Sequence, residues 1–363
     1  MQVVTEKLEL PPLTLQNPDG KRLMTVDIGT TTIAMQLYDM TGKVVDSFPS
    51  VNPQVSYGAD VLSRIEAAKD PGKAADMQKK VRDLMEKGVQ RFSKKLQPQE
   101  TLQMVVAANT TMTYLFMGWN PEELGKAPFT VSHSGAVETE IAGVACHIIP
   151  GLSAFVGGDI TAGILASGML EQEASTLLID LGTNGEMALG DRDGFVCCAV
   201  ASGPAFEGAG ISCGMSSTPG AVTAVKWTDN GFKMEVIGGV EPKGLCGSGL
   251  ISLVALLLDL GAVDGTGWLL PPEETPENLR PWISEDEKGN GCLRITEKVR
   301  LSAADVRQLQ LAKAAVAAGL EVLMENSGIG PDDIEHVYMA GGFGSALDVK
   351  AAARIGMLPE KLA

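Results

Sequence analysis

Thr25-Val26-Asp27-Ile28-Gly29-Thr30-Thr31 and Leu178-Ile179-Asp180-Leu181-Gly182-Thr183-Asn184 follow one template: two strand-forming residues, Asp, an apolar residue, Gly, Thr and a polar residue. The copies lie 153 positions apart, and each opens what reads as a three-strand meander. After the first come Ile33 to Tyr38 and Val44-Val45; after the second come Met187 to Leu189 and Gly194 to Val200. A repeat at this spacing means duplicated domains rather than a solenoid. An apolar strand that ends in Asp sets a carboxylate at a sheet end, where it can hold a hydrated Mg²⁺. The Gly that follows is expected to turn the backbone with amides facing outward, and the Thr hydroxyls add donors. Together they make a concavity suited to phosphate oxygens. One Asp-x-Gly-Thr is ordinary turn chemistry; two matched copies, both after apolar strands, point to a nucleotide gripped from both sides.

Other segments extend this reading. Gly157-Gly158-Asp159 breaks from a loop into a small-residue helix, so Asp159 is either a helix cap or a further acid that positions water or metal. Glu186 follows the second turn and is the other candidate to orient an attacking water. Met339-Ala340-Gly341-Gly342-Phe343-Gly344 ends a strand with three glycines in four positions, which lets the backbone approach a flat ligand such as adenosine. Lys243 to Gly249 opens an apolar helix with amides at its N-terminus. Val61–Ala68, Ala74–Leu96 and Ser302–Ser327 read as helices, the last with Ser302 and Asp305 as a capping pair and Gly328 after its end. Asn109 is expected to cap a helix after the strand Leu102–Ala107. Asp264–Asn290, with four prolines, reads as an irregular excursion.

Composition bounds the rest. The chain has 363 residues, enough for about two domains. Its 29 basic and 45 acidic residues give a net charge of −16, which disfavours nucleic acid and anionic membranes as partners. Any phosphate site must therefore rest on backbone amides and a bound cation. The six cysteines include no C-x-x-C, so no zinc ribbon or ferredoxin-type loop is encoded locally, and reduced thiols in a cytoplasm are expected. The N-terminus lacks a signal-peptide layout. The apolar run Gly249–Val263 is too short to span a bilayer and reads as a buried helix.

Several motifs fail. There is no Gly-Lys-Ser/Thr and no strand-borne Rossmann fingerprint. Gly210-Ile211-Ser212-Cys213-Gly214 matches G-x-S-x-G, but no buried strand precedes it, which argues against a nucleophile elbow. His147 and His336 lie in or beside strand-like segments, and His133 lies in a loop from which it could reach a partner.

The paired hairpins, Gly157 to Gly163 and Val337 to Ser345 resemble the two phosphate motifs, first connecting helix and adenosine motif of the acetate and sugar kinase, heat-shock chaperone and actin (ASKHA) superfamily. Asn52-Pro53-Gln54-Val55-Ser56-Tyr57-Gly58-Ala59-Asp60-Val61, Asn109-Thr110-Thr111-Met112, Ala201 to Ala209 and Gly341-Gly342-Phe343-Gly344 resemble the reductive activators of corrinoid proteins more narrowly. The resemblance implies an α/β fold of two ribonuclease-H-like lobes with an interlobe nucleotide cleft. Residues 1–22 would be a tail or linker, 23–170 the first lobe and 171–345 the second, with the C-terminal helix 346–363 returning to the first. It implies ATP and Mg²⁺, with Asp27 and Asp180 as metal-organising acids. Gly29, Thr30, Thr31, Gly182, Thr183 and Asn184 would hold phosphates, Gly341, Gly342 and Gly344 would pack on adenosine, and Asp159 or Glu186 would orient water. It implies ATP hydrolysis coupled to reduction of cobalt(II) corrinoid to cobalt(I) on the corrinoid protein of a methyltransferase system. Family members usually carry an iron–sulfur unit; with no Cys before Cys146 or after Cys292, none is expected in this chain, and a separate ferredoxin or flavodoxin would supply electrons. The oligomeric state, a homodimer among the options, stays open. Three alternatives remain: a small-molecule kinase of the same fold, an activator of a 2-hydroxyacyl-CoA dehydratase with Cys246 as a cluster ligand, and an actin-like scaffold.

Overall fold

The computed structural model describes residues 2–4, 21–182, 184–286, 288–341 and 347–363. The strand β1 (Gln2–Val4) is followed by β2 (Lys21–Ile28), β3 (Thr32–Tyr38), β4 (Val44–Val51), α1 (Val61–Ala67), α2 (Pro71–Ser93), β5 (Thr101–Ala108), α3 (Thr110–Met117), β6 (Val137–Ile141), β7 (Val144–Ile148) and α4 (Gly158–Ser167). Then come β8 (Ser175–Leu181), β9 (Gly185–Asp191), β10 (Gly194–Val200), β11 (Ala221–Thr228), β12 (Gly231–Val236), β13 (Gly244–Leu245) and α5 (Gly247–Asp259). The described elements end with β14 (Ile283–Glu285), β15 (Gly291–Arg294), β16 (Arg300–Ser302), α6 (Ala303–Ser327), β17 (Ile334–Ala340) and α7 (Val349–Arg354).

The chain divides into two compact units, one of Glu6–Leu170 and one of Met1–Thr5 with Glu171–Ala363. In the first, a six-stranded sheet runs β4-β3-β2-β5-β7-β6. The meander β2-β3-β4 is antiparallel, and β2 pairs in parallel with β5 after the α1–α2 crossover. Alternation along β2 and β3 turns Met24, Val26, Ile28, Ile33, Met35 and Leu37 inward. The buried stripe of α2, Met77, Val81, Met85, Val89 and Phe92, joins them in one core. Asp70 caps α2 through the amides of Gly72 and Lys73.

The second unit repeats the plan. Its five-stranded sheet runs β1-β10-β9-β8-β17, with β8-β9-β10 an antiparallel meander and β17 parallel to β8. The order β4-β3-β2-β5 of the first sheet thus reappears as β10-β9-β8-β17, the topological form of the sequence echo. Three-stranded sheets β12-β11-β13 and β14-β15-β16 are added to it. The helix α5 is buried along most of its length, as its apolar sequence requires. Ser302 and Asp305 form the capping box of α6, and Gly328 ends that helix in the left-handed region.

Two expectations about the termini need correction. Residues 1–22 are not all tail: Gln2–Val4 pair antiparallel with β10, and Lys21-Arg22 already belong to β2, where Arg22 Nε reaches Glu100 Oε1 at 2.8 Å. The C-terminal helix does not return to the first unit. Ala351, Ala352, Ile355, Met357 and Leu358 join the core of the second unit, and Arg354 Nε donates to Asp259 Oδ1 at 2.6 Å. An alanine-rich face fits closely against α5 there. The excursion 264–290 includes the short strand β14.

Candidate functional site

Each unit gathers its candidate residues at the end of the sheet where β2 and β5, or β8 and β17, finish. In the first unit Asp27 is exposed and stands opposite Ala34 on β3 and Ala107 on β5. The β2–β3 turn is closed by the Gly29 amide, which donates to Thr32 O at 2.9 Å. That amide is thus used inside the turn rather than presented outward, and Thr30 and Thr31 form the tip. Asn109 caps α3 through the Met112 amide and reaches back with Nδ2 to Thr30 Oγ1 at 3.1 Å. A Cβ on Gly157 would lie 2.5 Å from Asn109 Cα, so only glycine lets the start of α4 lie against this corner. The α4 N-cap is Gly157, not Asp159; Asp159 stands in the first turn, half-buried, its Oδ1 accepting from the Ile160 amide at 2.9 Å. Asp27, Thr30, Thr31 and Asp159 therefore belong to one corner of one unit.

In the second unit Asp180 pairs across the sheet with Glu186 on β9 and Ala340 on β17. Ala340 thus occupies the place that Ala107 has beside Asp27. The turn is closed by the Gly182 amide donating to Asn184 O at 2.8 Å, one residue tighter than the first turn, so this amide too is consumed internally. The shorter turn shifts the β9 register, and a carboxylate faces Asp180 where an alanine faces Asp27. Ser202 Oγ holds the Gly182 carbonyl at 3.3 Å, which brings the Ala201–Ala209 segment to the same corner. Burial pushes the Asp180 carboxyl above its usual range. Gly341 has φ +84°, and a Cβ there would lie 2.5 Å from Asp180 Oδ1 and 2.4 Å from Leu181 O, so the glycine that follows β17 is packed on the acid of the second hairpin. Thr183, Gly342 and Gly344 lie outside the described residues.

The residue that sequence reasoning missed is Arg64. It is fully buried, and its guanidinium donates to Thr30 O at 2.6 Å and Gly58 O at 3.0 Å, with Nη1 3.2 Å from Met112 Sδ. Desolvation lowers its pKa to about 10, against a smaller opposing effect from the charge of Asp60. Asn52, also fully buried, joins it: Nδ2 donates to Gly29 O at 2.8 Å and its backbone amide to Thr31 O at 2.9 Å.

The remaining candidates have structural partners. Ser212 donates through N and Oγ to the two oxygens of buried Asp305, at 2.7 and 2.6 Å, which leaves it as part of a cap rather than a nucleophile. His133 stacks on Trp119 with centroids 4.2 Å apart, and His147 Nδ1 lies 3.1 Å from Glu138 Oε1. Cys246 Sγ is buried against Val222 O and Ser248 Oγ, at 3.2 and 3.3 Å. Among the described residues no group of three His, Cys, Asp or Glu could hold a metal by itself. Mg²⁺ keeps several waters and is usually held by one or two carboxylates plus substrate phosphates. Asp27 in the first unit and Asp180 in the second each carry carboxylate oxygens of the kind Mg²⁺ takes. Among the described residues no helix is long and apolar enough to cross a membrane.

Comparison with known proteins accounts for both units. Residues 174–363 match the family described as the C-terminal domain of RACo, the ASKHA domain, and residues 23–172 match the RACo middle region. The corrinoid activation enzyme RamQ of Eubacterium limosum is 33% identical over 355 residues, covering 92% of this chain and 60% of that protein. The [Co(II) methylated amine-specific corrinoid protein] reductase of Methanosarcina barkeri is 30% identical over 238 residues, 59% of this chain and 41% of that one. Among solved structures, a reductive activator for corrinoid, iron-sulfur protein is similar with a TM-score of 0.78 and 33% identity, over 94% of this chain and 57% of that one. The chain spans 60% or less of the length of each of these relatives.

Proposed function

Because the chain belongs to the RACo family of corrinoid-protein reductive activators and has the ASKHA fold, we propose that it is an ATPase that drives reduction of a cobalt(II) corrinoid protein to the cobalt(I) state. The observation that carries the ATP part is the duplicated hairpin, acid then glycine then hydroxyls, repeated in sequence and in sheet topology. Both hairpins serve one Mg-ATP in this reading. Mg²⁺ would neutralise phosphate charge, with Asp27 and Asp180 orienting its waters. Thr30, Thr31, Thr183 and Asn184 would hold phosphate oxygens, and Gly341, Gly342 and Gly344 would serve the adenosine. Phosphoryl transfer to water needs positioning and charge neutralisation rather than a covalent step. Glu186 beside Asp180, or Asp159 at the other corner, orients the attacking water.

Hydrolysis is useful to a redox partner because it changes which conformation is populated, and two conformations can have different affinity for the docked protein. Electrons come from a separate donor, a ferredoxin or flavodoxin, and the place of action is the cytoplasm. The test is anaerobic: the protein, a cobalt(II) corrinoid protein, a low-potential reductant and Mg-ATP are mixed and the cobalt(I) absorbance followed. The expected result is cobalt(I) formation that requires ATP. Equal formation without ATP, across several corrinoid proteins, would overturn the activator role.

A further inference from the structure

Three successive carbonyls of the first hairpin turn are held from behind by two fully buried residues. Asn52 Nδ2 takes Gly29 O at 2.8 Å, Arg64 Nη2 takes Thr30 O at 2.6 Å and the Asn52 amide takes Thr31 O at 2.9 Å. A trans peptide is planar, with its N–H directed opposite to its C=O. Pinning Gly29 O and Thr30 O toward the interior therefore directs the following amides, Thr30 N–H and Thr31 N–H, to the other side. Consecutive amides aimed one way form an anion-binding nest.

The second observation is electrostatic. Among the described residues Arg64 makes no ion pair: its guanidinium meets two carbonyls and a thioether, and the Asp60 carboxylate acts on it only through space, too weakly to offset the desolvation. A buried, unpaired guanidinium is costly to fold around, in a chain whose net charge of −16 offers many carboxylates. Its charge lies one peptide unit behind the turn, where it favours an anion on the far side.

We infer that Asn52 and Arg64 are positioning residues for the polyphosphate chain of the nucleotide: they orient the Thr30 and Thr31 amides and supply the positive charge that the bound phosphates balance. The inference rests on the Mg-ATP reading above. It gives a role to the Asn52-to-Gly58 string and to the arginine of α1, which hold the turn through its carbonyls.

The test compares ligands that differ only in phosphate. Mg-ATP, Mg-ADP and adenosine are titrated calorimetrically into the wild-type chain, Arg64→Met and Arg64→Lys. Loss of a hydrogen-bonded charge should weaken Mg-ATP and Mg-ADP by roughly 10- to 100-fold in Arg64→Met. Adenosine affinity stays within about twofold, and Arg64→Lys, which keeps the charge, recovers part of the loss. Equal loss for all three ligands, or none, overturns the inference. If the wild-type chain binds no ATP, the nucleotide reading itself fails; if it binds and Arg64→Met binds equally well, only the clamp fails. Should Arg64→Met not fold, amide NMR of the wild-type chain decides. Mg-ADP should shift the Thr30 and Thr31 amide resonances, and unmoved resonances under saturating ligand refute the nest.

Discussion

Gly341→Ala is the most informative single substitution outside the acids. The backbone there has φ +84°, which costs a Cβ-bearing residue about 1–2 kcal/mol. The new Cβ would also stand 2.4 Å from Leu181 O and 2.5 Å from Asp180 Oδ1, so strand ends or carboxylate must move, at roughly 1–3 kcal/mol. The sum, about 2–5 kcal/mol, corresponds to a Tm loss of roughly 5–15 °C in a unit of this size. Gly328 provides the control. It has φ +72° at the end of α6, with nothing within 4 Å of an added Cβ, so Gly328→Ala carries strain alone, about 1 kcal/mol and roughly 2–4 °C. The assay is calorimetric unfolding paired with ATP turnover. Gly341→Ala should lose most turnover because the displaced group is Asp180, whereas Gly328→Ala should keep it. If the two variants unfold alike and both hydrolyse ATP normally, the packing of the glycine turn on the second acid plays no part in the site.

Other expectations follow from the same geometry. Burial raises the Asp180 carboxyl, so the folded state holds its proton more tightly than the unfolded chain does. The group's stabilising contribution is therefore complete below the unfolded value near 3.9 and is lost as pH rises through the folded value. Asp180→Asn should then raise Tm at neutral pH while abolishing turnover, and its Tm gain over wild type should shrink as pH falls toward 4; a gain independent of pH would contradict this. Ser212→Ala removes the 2.6 Å bond to Asp305 Oδ2 and should cost roughly 1–3 kcal/mol with ATP turnover unchanged, as chemical denaturation and a phosphate-release assay would show.

The matching placement of Asp27 and Asp180 near the ends of β2 and β8 was legible in sequence because the template is local: an apolar strand ending in Asp and then Gly needs only one hairpin to express it. The ladder β4-β3-β2-β5 repeated as β10-β9-β8-β17 is the same information in three dimensions. What stayed hidden depends on registers and distant partners. Seven matching positions do not reveal that the second turn closes Gly182 to Asn184 while the first closes Gly29 to Thr32, yet that one residue sets Glu186 opposite Asp180. The amides of both glycines looked available for phosphate and are spent on the turns themselves. Arg64 sits in a short helix between Asp60 at its cap and Glu66 near its end, and reads as a solvated side chain; carbonyls 34 and 6 positions away explain its burial. The last helix, Val349–Arg354, carries alanines that suit many surfaces, so its seat beside α5 was decided by tertiary fit and by Asp259.

The central claim is that two acids, one in each copied hairpin, serve one magnesium nucleotide. Steady-state ATP turnover and Mg-ATP binding of Asp27→Ala and Asp180→Ala test it most directly. The account predicts that each substitution alone lowers turnover by about 100-fold or more, with cooperative unfolding retained in both. Near-wild-type turnover in either variant would contradict it.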